Sequence, residues 1–318
     1  MFYIKYVVIV FMCFFLGACH TYTGPGSGSD DKEVYQGTDD DDDPDIGNTT
    51  AYTFYDKFNG TSLNSTLWRK GNRQWGGANG GVVPENVSVS NGVLVIAGYG
   101  DQYTGTVSGH GRDTRIGGVI VSQDRLGSGS YEVKMKVLPR LGACSTIWTF
   151  YYEEHYSGST EYNNYINNGW QDQGGYITVN HEIDIELPGR PYDSSPDISF
   201  SHALFNNWLS EVGLYSSVPW KIGPQADGKW HIYRFDWHTG GNNTEKSVAY
   251  YIDGELELVT GANVPTYKGE FWIGVWFPAQ GYAQTDYVGW AGNPDFDTDY
   301  MYVDWVRYTA FNDAGDEI

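Results

Sequence analysis

The chain reads as an all-β sandwich of two curved antiparallel sheets. Three observations predict it. Short runs of alternating or continuous apolar residues recur through residues 52–311, punctuated by Asn-Gly, Asp-Gly and other glycine turns. No helix-length amphipathic pattern interrupts them. Aromatic residues make up 16% of the sequence, with 12 Trp and 26 Tyr, beside 41 Gly. That is the profile of a turn-rich sandwich whose surface stacks flat ligands.

The elements follow in order. Residues 1–18 read as a targeting segment: Lys5 supplies a short positive region, and residues 6–15 are almost purely apolar but too few for a comfortable membrane span. The segment runs into Leu16-Gly17-Ala18-Cys19, which resembles a bacterial lipobox. That resemblance implies cleavage before Cys19 and acyl chains on its thiol. Residues 19–51 form a flexible acidic tether, with a Gly/Ser stretch at 24–29 and an acid run at 39–43. Acidic residues behind a lipidated Cys resemble a surface-export signal, so the chain is expected at the cell envelope, on the surface or periplasmic face of an outer membrane.

The folded part begins near Tyr52 and ends near residue 311, followed by an acidic tail at 312–318. A first strand leads from Phe54 into a turn at Asn59-Gly60, and Trp68 packs behind it. Residues 87–96 form a hairpin about Asn91-Gly92. Strands are expected at 118–121, 129–138 and 145–152, the second alternating cleanly with one wet face. Residues 153–179, rich in Tyr, Asn, Gly and Gln, read as a long loop walling one end of a cleft. Further strands are expected at 181–187, 198–204, 230–237, 247–252, 255–258, 269–277 and 300–308. Trp237 and Trp305 fall on their core-facing positions.

Charge narrows the function. A net charge of −21 makes nucleic acid and anionic membrane surfaces poor partners and leaves a neutral polymer unaffected. Cys13 and Cys19 lie in the N-terminal segment, so Cys144 stands alone as a small buried filler and no intradomain disulfide is expected. There is no glycine-rich phosphate loop, no Cys/His metal cluster and no serine nucleophile elbow.

The stretch His181-Glu182-Ile183-Asp184-Ile185-Glu186-Leu187 carries the chemistry. On a strand of period two, Glu182, Asp184 and Glu186 share one face while the apolar residues share the other. Three acids on one face repel one another, and stability alone would place Thr, Lys or Gln there. Like charges held close push a carboxyl pKa upward, and a protonated carboxyl beside an ionised one is what glycoside hydrolysis needs. Residues four apart on a flat strand lie ~13 Å apart at Cα. A retaining site wants its carboxyls about 5–5.5 Å apart, so the strand is expected to lie on the concave side of a curved sheet. A solvent-facing acidic strand or a calcium site are the alternatives from spacing alone.

Over residues 52–311 the chain resembles glycoside hydrolase family 16, a group of lichenases, laminarinases and related endo-glycanases. The Glu-x-Asp-x-Glu signature stands at Glu182-Ile183-Asp184-Ile185-Glu186. Supporting stretches fall in family order: Ser90-Asn91-Gly92-Val93-Leu94, residues 129–136, residues 230–237, Tyr251-Ile252-Asp253-Gly254 and residues 302–308. The resemblance implies a concanavalin-like jelly roll with a concave substrate cleft, acting on a polysaccharide or oligosaccharide. It implies retaining chemistry without a cofactor: Glu182 as nucleophile, Glu186 as general acid and then base, Asp184 orienting Glu182. It also places Trp276, His202 and Asn79 as candidate sugar contacts; Trp148, on a strand expected beside the acidic one, and Trp170, in the stretch 153–179, are candidates by position, and each of the five has core packing or a turn role as its alternative. A structural calcium is known in many members; Asp304 matches its side-chain ligand and Gly92 a carbonyl ligand, and the remaining ligands are not identifiable.

The single residue between Asp184 and Glu186 resembles the lichenase and xyloglucan-acting branch. Leu187-Pro188-Gly189-Arg190 and His202 depart from lichenases and leave the sugar open. The expectation is a monomeric retaining endo-β-glycosidase on β-1,3/1,4-glucan, touching the membrane only through its lipid. An endo-β-galactosidase, a transglycosylase and a non-catalytic surface glycan-binding protein are the alternatives.

Overall fold

The computed structural model describes residues 53–190, 196–241, 243–278 and 290–318. The segment 1–18, Cys19 and the tether 19–51 lie outside the described residues. The strands are β1 (Phe54–Asp56), β2 (Trp68–Lys70), β3 (Gly81–Val82), β4 (Val87–Ser90), β5 (Val93–Tyr99), β6 (Ile116–Leu126), β7 (Gly129–Lys136) and β8 (Cys144–Tyr156). After helix α1 (Thr160–Asn167) come β9 (Tyr176–Pro188), β10 (His202–Trp208), β11 (Tyr215–Lys221), β12 (His231–His238), β13 (Ser247–Ile252), β14 (Glu255–Thr260), β15 (Gly269–Trp276) and β16 (Thr298–Ala310).

They form two antiparallel layers. One runs β11-β10-β9-β8-β15-β6, with β2 beside β6. The other runs β5-β16-β7-β12-β13-β14, with β1 on β16 and β4 on β5. A single residue pair, Tyr99 with Ile116, ties β5 to β6. Alternation decides what enters the core. Ile183, Ile185 and Leu187 of β9, Phe205 of β10 and Ile273 of β15 meet Tyr131, Val133 and Met135 of β7, Phe235 of β12 and Met301 and Val303 of β16. Full burial of each such side chain contributes about 1.5–3 kcal/mol. Trp237 joins this core and donates its indole N–H to the Pro265 carbonyl at 2.9 Å. Trp305 is also buried, but beneath the Arg307 guanidinium (4.1 Å) and beside Tyr55 rather than in the central cluster. The Asn91-Gly92 and Asp253-Gly254 turns sit at positive φ, as two-residue hairpins require.

Three features differ from the sequence reading. The stretch 153–179 is no long loop: β8 and β9 stay paired from Cys144/Pro188 out to Tyr156/Tyr176, and α1 fills the tip. Ser159 caps α1, its hydroxyl accepting from the Tyr162 amide at 3.0 Å. The strand expected at 198–204 begins at His202, because Asp197 gathers the amides and hydroxyls of Ser199 and Ser201 into a turn. β11 carried no strand signal because Pro219 sits in it; the strand is a sheet edge, where proline is tolerated. Residues 312–318 lie on the sandwich: Asp316 accepts from the Ser128 amide and the Thr239 hydroxyl, and the Glu317 amide donates to the Thr266 carbonyl.

Candidate active site

β9 places Ile183, Ile185 and Leu187 in the core, so Glu182, Asp184 and Glu186 emerge together on the opposite face of its layer. Asp184 is 4% exposed and Glu186 9%, while Glu182 keeps partial contact with solvent. Neighbouring strands present groups that make this crowding tolerable. On β10, Asn206 pairs with Asp184 and Trp208 with Glu182; on β8, Thr146, Trp148 and Phe150 stand opposite Glu186, Asp184 and Glu182.

Each acid receives at least one side-chain donor, and Asn206 serves both Glu186 and Asp184. The Asn180 amide donates to Glu182 Oε2 at 2.9 Å, the Trp208 indole to Asp184 Oδ2 at 3.0 Å, and the Asn206 amide to Glu186 Oε2 at 2.9 Å. Burial and then the Glu182 charge push Glu186 up to about 8, against the pull of hydrogen bonds from Asn206 and Trp276. Burial raises Glu182 to about 7, offset by hydrogen bonds from Asn180 and Asp184. Asp184 is held well above the usual range by burial and by the charges of Glu182 and Glu186 on either side. Near neutral pH the trio therefore holds a proton on Asp184, an acidic Glu186, and a Glu182 that its hydrogen bonds favour as carboxylate. Cys144, buried and free, lies beside Glu186 with Sγ 4.0 Å from Oε1; burial raises its thiol, so it stays protonated.

An aromatic wall adjoins the acids. Trp148 stacks on Trp272 at 5.4 Å, and Trp75 covers both at 6.1 and 6.3 Å. Trp276 lies 6.0 Å from Trp75 and 5.8 Å from Trp290. Gly76 makes this approach feasible: at φ +73°, a Cβ there would come within 2.5 Å of the Trp276 ring. Trp75, Trp276 and Phe150 keep partial exposure, so sugar faces could lie on them.

The sequence-derived candidates divide. Trp276 and Trp148 come to the acids' face, Trp276 in hydrogen-bond contact with Glu186. His202 opens β10 on the face of Asn206 and Trp208, its Nδ1 2.9 Å from Asp197 Oδ2, and keeps partial exposure. Asn79 is a correction. It is 2% exposed, donates to the Trp75 and Phe277 carbonyls at 2.8 and 2.7 Å, and accepts from the Gly81 amide, so it braces the loop and has nothing left for a sugar. Trp170 is another. It packs with Tyr165 against Ile177 and Val179, which share the face of Ile183 and not of Glu182. At Asp304 the Lys134 ammonium meets the carboxylate at 2.9 Å, so a calcium ion there would have to displace that partner. Gly92 serves its hairpin turn.

Asn180, Asn206, Trp208, Trp272 and Trp75 escaped the sequence reading. The first could have been found by continuing the period of two back from Glu182, and Trp272 by the same step from Trp276. Asn206 and Trp208 fall beyond the end of the strand that the sequence predicts at 198–204.

No family model matches the chain. A β-glucanase of Bacillus subtilis is 26% identical over 267 residues, covering 82% of this chain and 87% of the relative. The solved β-glucanase of Bacillus licheniformis superposes with a TM-score of 0.55 at 25% identity, over 82% of this chain and 99% of that one. The likeness to family 16 glycanases holds across the folded part. A laminarinase catalytic domain from Thermotoga petrophila shares the fold as well, with a TM-score of 0.54 at 18% identity. These glucanase relatives are matched through the jelly-roll sandwich that carries β9.

Proposed function

We propose that the chain is a retaining endo-β-glycosidase that hydrolyses β-1,3/1,4-glucan by double displacement. The observation that carries this is one strand face presenting Glu182, Asp184 and Glu186 in three different hydrogen-bonding environments beside a tryptophan wall. The names of the relatives, β-glucanase and laminarinase, agree with the substrate class.

Glu182 attacks the anomeric carbon while Glu186 gives its proton to the departing glycosidic oxygen. Asp184, protonated, donates to Glu182 and spreads its charge. The sugar is then an ester of Glu182, and Glu186 is a carboxylate. Water loses a proton to Glu186 and attacks the same carbon, which frees Glu182 and restores the acid.

Hydrolysis needs Glu182 ionised and Glu186 protonated. The expected kcat/KM profile is a bell: the acidic limb falls as Glu182 gains a proton near pH 7, the alkaline limb as Glu186 loses one near pH 8. Both limbs belong to the coupled trio. Asn206→Ala removes a donor that favours ionised Glu186, so it should move the alkaline limb to higher pH. Initial rates from pH 5 to 10 measure it.

The substrate is tested by turnover on barley glucan, laminarin, xyloglucan and a keratan-type glycan. Preferential cutting of barley glucan, with viscosity falling before reducing ends accumulate, is the expected result; cleavage of the keratan-type glycan alone would replace the glucanase by an endo-β-galactosidase acting on a host-type glycan. The chain would work as a monomer on the cell envelope, held by acyl chains on Cys19, a reading supported by Leu16-Gly17-Ala18-Cys19. Cys19→Ser should release it from the membrane fraction.

A further inference from the structure

We propose that Trp208 is a positioning residue for the nucleophile, acting through Asp184: its indole N–H fixes the Asp184 carboxyl so that the other oxygen presents its proton to Glu182. The inference rests on the hydrolase reading above and deepens it.

The indole nitrogen of Trp208 donates and cannot accept. Trp208 Nε1 lies 3.0 Å from Asp184 Oδ2, and Asp184 is 4% exposed, so no solvent competes for that contact. An oxygen that receives an N–H is best left as the carbonyl oxygen of the acid. The proton then belongs on Oδ1, free to engage Glu182, with which Asp184 shares a hydrogen bond. From the other side the Asn180 amide, itself 4% exposed, holds Glu182 Oε2 at 2.9 Å. The donors converge on the pair: Trp208, fixed on Oδ2, and Asn206 donate to Asp184, while Asp184 and Asn180 donate to Glu182.

Trp208 is well braced for this. It stands opposite Glu182 in the β9/β10 register, and its ring stacks on Tyr215 of β11 at 4.6 Å and 21°. The stacking fixes the ring plane and so the direction of the N–H. The charged and titratable groups acting on the pair are Glu186 on β9, Glu211 after β10, Arg73 after β2, Cys144 on β8 and Tyr250 on β13. None of them replaces the indole as a donor to Oδ2 among the described contacts.

Trp208→Phe isolates the N–H, since phenylalanine keeps a ring against Tyr215. Loss of one hydrogen bond to an acidic group predicts a fall in kcat of about 10- to 100-fold, with KM within about twofold of wild type. The acidic limb of kcat/KM should move to higher pH, because Glu182 loses a well-aimed donor to its carboxylate. The carbonyl stretch of protonated Asp184, assigned by its disappearance in Asp184→Asn, should rise in frequency in the infrared difference spectrum. An unchanged kcat and acidic limb, a raised KM alone, or an unmoved carbonyl band would each overturn the proposal. The infrared arm needs no turnover, so a wild-type chain that cuts no glycan would sink the hydrolase reading and still leave the positioning of Asp184 decided.

Discussion

Glu182→Gln should lower glycan hydrolysis by at least about 10⁴-fold, as removal of a covalent nucleophile does elsewhere. Gln is close to the same volume and accepts from the Asn180 amide, so the sheet need not move. Binding of an oligosaccharide, read by calorimetry, should persist. Stability supplies an independent check. The Glu182 pKa is raised in the folded state, so its favourable contribution is complete below the ordinary glutamate range and is lost as pH climbs through about 7. The neutral amide escapes that loss. At pH 8 the variant should therefore melt no lower than wild type. Full activity in Glu182→Gln would overturn the assignment of this acid.

Glu186→Ala should cost about 10²–10⁴-fold on a glucan, whose leaving oxygen needs a proton. A substrate with an acidic phenol as leaving group needs none, so its first step should be nearly spared and the glycosyl-enzyme should accumulate. Azide distinguishes the two glutamates. It can enter the space left by the Glu186 side chain and attack the ester on Glu182, giving the β-glycosyl azide. In a Glu182→Ala variant it would attack the substrate directly from the vacated side and give the α-product. Proton NMR of the azide reads the difference, and an α-azide from Glu186→Ala would exchange the two roles.

The acidic strand was legible because its two faces obey different rules: Ile183, Ile185 and Leu187 are chosen by the core, and only Glu182, Asp184 and Glu186 contradict stability. The hairpin turns were legible for a similarly local reason, the positive φ at Asn91-Gly92 and Asp253-Gly254. Ile198 and Phe200 imitate strand alternation and so point to a strand that starts four residues before β10 does. In space, Asp197 hydrogen-bonds to Ser199, Ser201 and His202, and Phe200 sits at φ +53°, which no strand holds. Those side-chain hydrogen bonds outcompete the ladder over four residues. The aromatic wall was only half visible, because Trp75 reaches Trp148 and Trp272 across strands that lie far apart in the chain. Asn79 looked available because sequence spacing cannot show that its amide is already committed to two carbonyls.

Pro219 has a consequence beyond the fold. β11 is the last strand of the layer that bears the acids, and a bare strand edge invites a second copy to add its own. Proline has no N–H with which to welcome one, and Lys221 adds a positive charge two residues on. Molecules crowded along one polysaccharide strand should thus remain separate particles, and light scattering at rising concentration should show no growth in size.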